Sequence, residues 1–186
     1  MIELQKRYNS IERRLPVTVI NILFDTDVYD QYVWIIDKIG KESYIESWMA
    51  LVRKVSWNFP GLESEEGIRD HENTVLKFIS KRQAICVRDN DEVIGVLLFS
   101  RFHNMICCLA VDPDYRRKGI ASKLLSKALN ELDRKRDITV STFRENDEKG
   151  KAPRALYKKF GFKEGEKTIE FGYPNQVFVL EPAIYE

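Results

Sequence analysis

Two periods of apolar spacing divide the chain. Residues 1–16 mix charges with Ile2, Leu4, Ile11 and Leu15 and read as an N-terminal arm or short helix, and residues 17–24 alternate as a first strand. Over 30–55, Val33, Trp34, Ile36, Ile39, Ile45, Trp48, Met49, Val52 and Val55 recur at three and four positions, which predicts one or two helices broken near Gly40. Trp34, Trp48 and Trp57 are candidates for a pocket wall, although aromatic side chains at helical spacing are core residues first. A turn at 58–62 follows, and Ser64 with Glu66-Gly67 opens a helix running to about Ser80.

The period then falls to two. Residues 84–87 and 93–99 flank a turn at Asp89-Asn90-Asp91 and predict an antiparallel hairpin. Residues 104–111 are apolar on both faces, as a central strand must be. Ile120, Ala121, Leu124, Leu125, Ala128, Leu129 and Leu132 form the apolar stripe of an amphipathic helix over 119–135. A strand at 138–143 follows, then a short helix at 153–160 with Pro153 in its first turn, then strands at 163–170 and 176–180. This order predicts an α/β (mixed α+β) fold, a central mixed, mostly antiparallel sheet flanked by helices. No repeat or Gly/Ser linker interrupts the 186 residues, so 17–186 read as a single domain, long enough to bury close to ~70% of its unfolded surface.

Composition narrows the function classes. No apolar run approaches the ~18 residues that a membrane helix requires. The opening Met1-Ile2-Glu3-Leu4-Gln5-Lys6-Arg7 lacks the apolar stretch of a secretion signal, and Cys86, Cys107 and Cys108 sit in strand-like runs as reduced thiols, so the expected setting is cytoplasmic. His71 and His103 lie far apart without ligand spacing, so no metal is expected. The net charge of +1 hides a segment, 116–163, with 15 Lys/Arg against 6 Asp/Glu. Such a field attracts a polyanion or a phosphorylated cofactor. Without zinc spacing or basic residues interleaved with aromatics in a strand, nucleic acid is not the expected partner.

The most informative stretch is Leu109-Ala110-Val111-Asp112-Pro113-Asp114-Tyr115-Arg116-Arg117-Lys118-Gly119-Ile120-Ala121. A buried strand ends, Pro113 breaks the pairing, and a basic loop runs straight into a helix. The first N–H groups of that helix have no partners within it and lie at the positive end of its dipole. Gly119 and the small Ala121 leave the backbone open to an anion, as a pyrophosphate site requires. The loop is neither GxxxxGK[ST] nor GxGxxG with a following acidic residue, so an ordinary nucleotide site is not favoured.

At these residues the sequence resembles the GNAT acetyltransferase superfamily. Arg116-Arg117-Lys118-Gly119-Ile120-Ala121 matches its pyrophosphate signature [QR]-x-x-G-x-[GA], and Ala155-Leu156-Tyr157-Lys158-Lys159-Phe160-Gly161-Phe162 resembles its second signature, a helix ending in Tyr-x-x-x-Gly-Phe. The resemblance covers 84–170 well, 17–83 by element order alone, and 1–16 not at all. It implies acetyl-CoA as co-substrate, with Leu109, Ala110 and Val111 pairing with the pantetheine arm and Arg116, Arg117, Lys118, Gly119, Ile120, Ala121 and Ser122 around the pyrophosphate. Relatives often carry an asparagine seven residues before the tyrosine; Gly150 stands there, Asn146 is off register, and Arg154 or Lys151 is the substitute.

Acetyl transfer from a thioester to an amine needs a base, donors for the oxyanion and an acid for the thiolate. The resemblance gives Tyr157 the acid role. His103 is a candidate base because histidine is the residue type suited to proton exchange near neutrality, while Asn104, where some relatives keep a carboxylate, cannot act as one. Glu145 lies twelve residues before Tyr157, a spacing that resembles relatives acetylating protein N-termini, and a water relay is the third candidate base. Cys107 and Cys108 lack the cation or helix terminus that makes a thiol reactive, so transfer without an acyl-enzyme is expected. The expected function is acetyl transfer from acetyl-CoA to a primary amine on a peptide or small molecule. The competing reading is a non-catalytic CoA-binding or interaction module on the same fold. Free sheet edges leave a homodimer open.

Overall fold

The computed structural model describes residues 35–38 and 44–182. The arm expected at 1–16, the strand expected at 17–24 and Trp34 lie outside them. The strands are β1 (Ile35–Lys38), β2 (Ala84–Asp89), β3 (Glu92–Ser100), β4 (Met105–Val111), β5 (Ile138–Phe143), β6 (Lys163–Glu170) and β7 (Tyr173–Leu180). The helices are α1 (Ile45–Val55), α2 (Glu65–Ser80), α3 (Ile120–Leu129) and α4 (Lys151–Lys159). Among the described residues, the strands form one sheet in the order β1-β2-β3-β4-β5-β7-β6. Every neighbouring pair is antiparallel except β4 and β5, which run parallel. The mixed, mostly antiparallel sheet flanked by helices is the architecture the sequence predicts.

The helical reading of 30–55 misplaces one element. Ile35–Lys38 pairs with β2, Ile36 opposite Val87, and is a strand rather than a helix. Ile35 and Ile36 are β-branched, and the free edge of β2 gives them a ladder to join. Among the described residues, helix begins at Ile45.

Helices cover both faces. On one, α3 sets Ile120, Leu124, Leu125 and Ala128 against Leu97, Phe99, Ile106 and Val140. On the other, α1 and α2 set Trp48, Val52, Val75 and Ile79 against Cys86, Val96 and Leu98. Ser64 caps α2 by accepting from the Gly67 N–H at 3.1 Å, as expected of a serine in that place. Trp48 is fully buried and Trp57 is not, because Trp57 lies in the turn after α1.

Two details fix where α3 begins and ends. Gly95 of β3 lies directly beneath its first turn: a Cβ there would meet Ile120 Cγ2 at 2.6 Å and Leu124 Cδ1 at 3.2 Å. Gly95→Ala is therefore expected to lift the helix and cost ~1–3 kcal/mol, a fall in Tm of ~2–4 °C per kcal/mol at this size. An unchanged melting curve would show that α3 does not depend on this close seat. At the other end, Asn104 is buried and donates from Nδ2 to the carbonyls of Asp133 and Asp137, each at 2.9 Å, while its Oδ1 accepts from Asp133 N at 2.9 Å. That clamp draws residues 133–137 onto the start of β4, so α3 stops at Leu129 and not near 135.

Candidate functional site

β4 and β5 share only two paired positions, Met105 opposite Thr139 and Ile106 opposite Val140, and then part. Cys107 helps to part them. Leu98 faces Cys108 and Phe99 faces Ile106, which leaves Cys107 as a one-residue bulge in β4, and a bulge bends and twists its strand. β4 stays paired with β3 through Val111, so its opposite edge has no ladder partner beyond Ile106. A cavity of about 720 Å³ occupies the gap, within the ~300–1,000 Å³ typical of small-molecule sites. Residues Cys107 to Val111 of β4 form one wall, and Val140 to Phe143 of β5 the other.

The basic loop closes one end. Asp112 accepts from Asp114 N at 2.9 Å and caps the turn Pro113–Tyr115. Lys54, in the last turn of α1, donates to Asp112 Oδ1 at 2.8 Å and Asp114 Oδ2 at 2.7 Å. The hydrogen bond to Asp112 is the main reason the Lys54 pKa is raised, and the bond from Lys54 the main reason that of Asp114 is lowered. Arg117 and Gly119 then take positive φ, 62° and 80°, and α3 starts at Ile120 with no side chain capping it. Arg116, Arg117, Gly119, Ile120, Ala121 and Ser122 all line the cavity. Lys118 turns aside, its Nζ over the Tyr115 ring at 4.7 Å.

Tyr157 of α4 reaches the same cavity from the far wall. It is 4% exposed, with its ring packed against Phe162 and Phe178. Burial, and after it the neighbouring Cys108, pushes the phenol pKa well above the usual tyrosine range, so Tyr157 keeps its proton at neutral pH. Burial also pushes the thiols up, Cys107 to about 11 and Cys108 to about 12, the latter helped by Cys107. Both stay neutral at pH 7, without the thiolate a nucleophile needs.

The other sequence-derived candidates stand elsewhere. His103 is exposed in the turn between β3 and β4 and is not part of the cavity wall. The strand expected from 104 begins one residue later, because Asn104 takes φ 52° to reach its carbonyls. Glu145 lines a separate polar hollow of about 440 Å³ with Arg144, Glu164 and Lys167. Arg154 is buried beneath α4, pairing with Glu164 at 2.7 Å and donating to Gln176 Oε1 at 2.9 Å. Its charge is used to tie α4 to β6 and β7, which corrects the expectation that it faces the cofactor. Lys151 is paired with Glu148 at 2.7 Å. At Gly150 a Cβ would lie 2.9 Å from the Arg144 carbonyl oxygen and 3.1 Å from Phe143 Cβ, so an asparagine there would force the turn open.

Several cavity residues carry no sequence motif. Ser141 of β5 lines the cavity with a buried hydroxyl that has no partner, a group awaiting a ligand's hydrogen bond. Trp57, Phe59 and Pro60 come from the α1–α2 connection, and Glu170, Phe171 and Asn175 from the β6–β7 hairpin. The open backbone at Gly119, the free edge of β4 and the orphaned Ser141 hydroxyl together fit an elongated ligand with an anionic end and an amide-bearing arm, as coenzyme A has.

The sequence profile of the acetyltransferase (GNAT) domain matches residues 80–164. Three solved structures share the fold. A GNAT-family acetyltransferase from Bacillus cereus is 19% identical with a TM-score of 0.63, over 81% of this chain and 98% of that one. The PaiA N-acetyltransferase from Thermoplasma acidophilum, in complex with coenzyme A, is 20% identical with a TM-score of 0.60, over 80% and 99%. The ribosomal-protein-S18-alanine N-acetyltransferase from Escherichia coli is 18% identical with a TM-score of 0.62, over 83% and 97%. No curated protein sequence matches the chain.

Proposed function

We propose that the chain, whose residues 80–164 match the GNAT acetyltransferase domain profile, uses acetyl-CoA and transfers its acetyl group directly to a primary amine. The observation that carries this reading is the parting of β4 and β5, which brings an unpaired strand edge, an uncapped helix start and Tyr157 to one cavity. In this reading Gly119, Ile120, Ala121 and Ser122 present N–H groups to the pyrophosphate, helped by Arg116 and Arg117. Leu109, Ala110 and Val111 offer backbone groups to the pantetheine arm. Acetyl-CoA supplies an activated acyl group as a thioester.

The roles of the protein groups follow from their state. Free β4 N–H groups beyond Ile106 are preorganised donors for the oxyanion that develops on the carbonyl, and they need no reorientation as charge appears. The Tyr157 phenol, protonated through neutral pH, donates to the departing sulfur. Neutral Cys107 and Cys108 favour direct transfer over an acyl-enzyme.

Calorimetric titration with acetyl-CoA, with NADH and ATP as controls, tests the reading. Selective binding of acetyl-CoA in the micromolar range is expected, followed by release of free CoA when an amine is added. Absence of heat with acetyl-CoA would reduce the 116–121 turn to a helix start on a basic surface and end the proposal. Binding without CoA release for any amine would reduce the chain to a CoA-binding module.

A further inference from the structure

The mouth of the cavity is built from residues that core packing does not account for. Phe171 is 84% exposed and Trp57 58% exposed, yet both line the cavity with Phe59. Phe171 and Gly172 take φ of 51° and 74°, a two-residue turn joining Glu170 and Tyr173, which oppose each other in β6 and β7. This turn carries the Phe171 ring to the α1–α2 connection, where a Cβ on Gly61 would lie 3.5 Å from Phe171 Cδ1. Lys149 Nζ donates to the Trp57 carbonyl at 3.0 Å, and the Tyr173 hydroxyl donates to Asp147 Oδ2 at 2.6 Å. Two connections distant in sequence are thus pinned around one opening, with large apolar rings turned to solvent at its rim. Exposed rings rimming a concavity mark a surface that takes a ligand.

Among the described residues, one carboxylate at this mouth forms no ion pair. Glu148 lines the cavity but is held by Lys151 at 2.7 Å. Glu170 is half-buried at the end of β6, and its Oε2 accepts only a long contact of 3.5 Å from Asn175 Nδ2, a neutral donor. Resting on the acetyl-transfer reading above, we propose that Glu170 receives the acceptor's ammonium group and takes its proton, and that the acceptor carries an aromatic or large apolar group beside that amine. Trp57, Phe59 and Phe171 enclose the apolar group while Glu170 holds the nitrogen. One ammonium proton passes to the Glu170 carboxylate and on to solvent. The freed lone pair forms the C–N bond and the C–S bond breaks. The sulfur takes a proton from Tyr157, and the second proton lost by nitrogen restores the phenol.

The test uses the full chain with acetyl-CoA and four acceptors: phenethylamine, a peptide beginning with phenylalanine, ethylamine and spermidine. Phenethylamine or the phenylalanine peptide is expected to exceed ethylamine and spermidine in kcat/KM by ~10-fold or more, and the better of the two identifies a free amine or a peptide terminus as the source. Glu170→Gln is expected to lower kcat by ~10²-fold or more with acetyl-CoA affinity and Tm unchanged, which shows the variant is folded. Phe171→Ala and Trp57→Ala are expected to erase the preference for the aromatic acceptor, again without change in acetyl-CoA affinity. Wild-type kcat in Glu170→Gln, or ethylamine used as well as phenethylamine, overturns this proposal and leaves the acetyl-transfer reading intact. Failure of acetyl-CoA to bind at all overturns both.

Discussion

Tyr157→Phe is expected to lower kcat by ~10²–10⁴-fold, the usual contribution of a positioned acid or base, with acetyl-CoA affinity within twofold or so of the wild type. The substitution removes one oxygen and leaves the ring against Phe162 and Phe178, so the α4 packing survives. Its pH behaviour is a second check. Burial favours the neutral phenol, which raises its pKa above the ordinary 10.0. The acid form is therefore present throughout the neutral range and lost only on the alkaline side of the ordinary value. In the wild type, kcat should show no alkaline fall below pH 10.0 attributable to this group. Pre-steady-state rates of CoA release separate the chemical step from product release, and an undiminished chemical rate in Tyr157→Phe would remove the residue from the mechanism.

Gly119→Ala tests the other end of the cavity. The glycine has φ 80°, and no protein atom lies within 4 Å of where a Cβ would stand. The fold therefore meets only the conformational cost of a left-handed non-glycine residue, ~1–2 kcal/mol. The ligand meets a methyl group where its phosphate approaches the helix start. Loss of one charge-assisted hydrogen bond is worth ~1.5–3 kcal/mol, so acetyl-CoA affinity should fall ~10–100-fold. Titration calorimetry and a melting curve, taken together, check it. Affinity unchanged at a slightly lower Tm would move the pyrophosphate away from Gly119.

What the sequence made legible was local. The turn at 112–121 could be read because strand end, proline, basic loop, glycine and helix start follow one another within ten residues, and the reasons for each are short-range. Tyr157 was singled out by a resemblance, the Tyr-x-x-x-Gly-Phe signature at 157–162, which is also short-range. The residues that were missed or misplaced depend on partners far along the chain. Asn104 reads as a possible lost catalytic position, but its role is set by carbonyls 29 and 33 residues away. Arg154 reads as a cation free to meet a ligand until Glu164 and Gln176 are brought beneath α4. Glu170 and Asn175 meet only once the β6–β7 hairpin is formed, and Trp57 joins them from another layer. The basic excess of 116–163 is likewise partly offset from outside the segment, where Glu164 pairs with both Arg154 and Lys158.

The free edge of β4 also bears on how the protein avoids sticking to itself. A strand edge with unused N–H and C=O groups is ordinarily a template for another chain and an aggregation hazard. Here the edge lies inside the sheet, where β5, β7 and β6 flank it. A foreign strand sliding in would stop at the join of Met105 with Thr139 and would have to fit between β4 and β5, which wall the same cavity. A slender molecule carrying a few amide groups meets no such barrier. Parting two central strands thus exposes backbone hydrogen-bonding groups to a ligand while keeping them from polypeptide, and the protein needs no charged or proline gatekeeper on that edge.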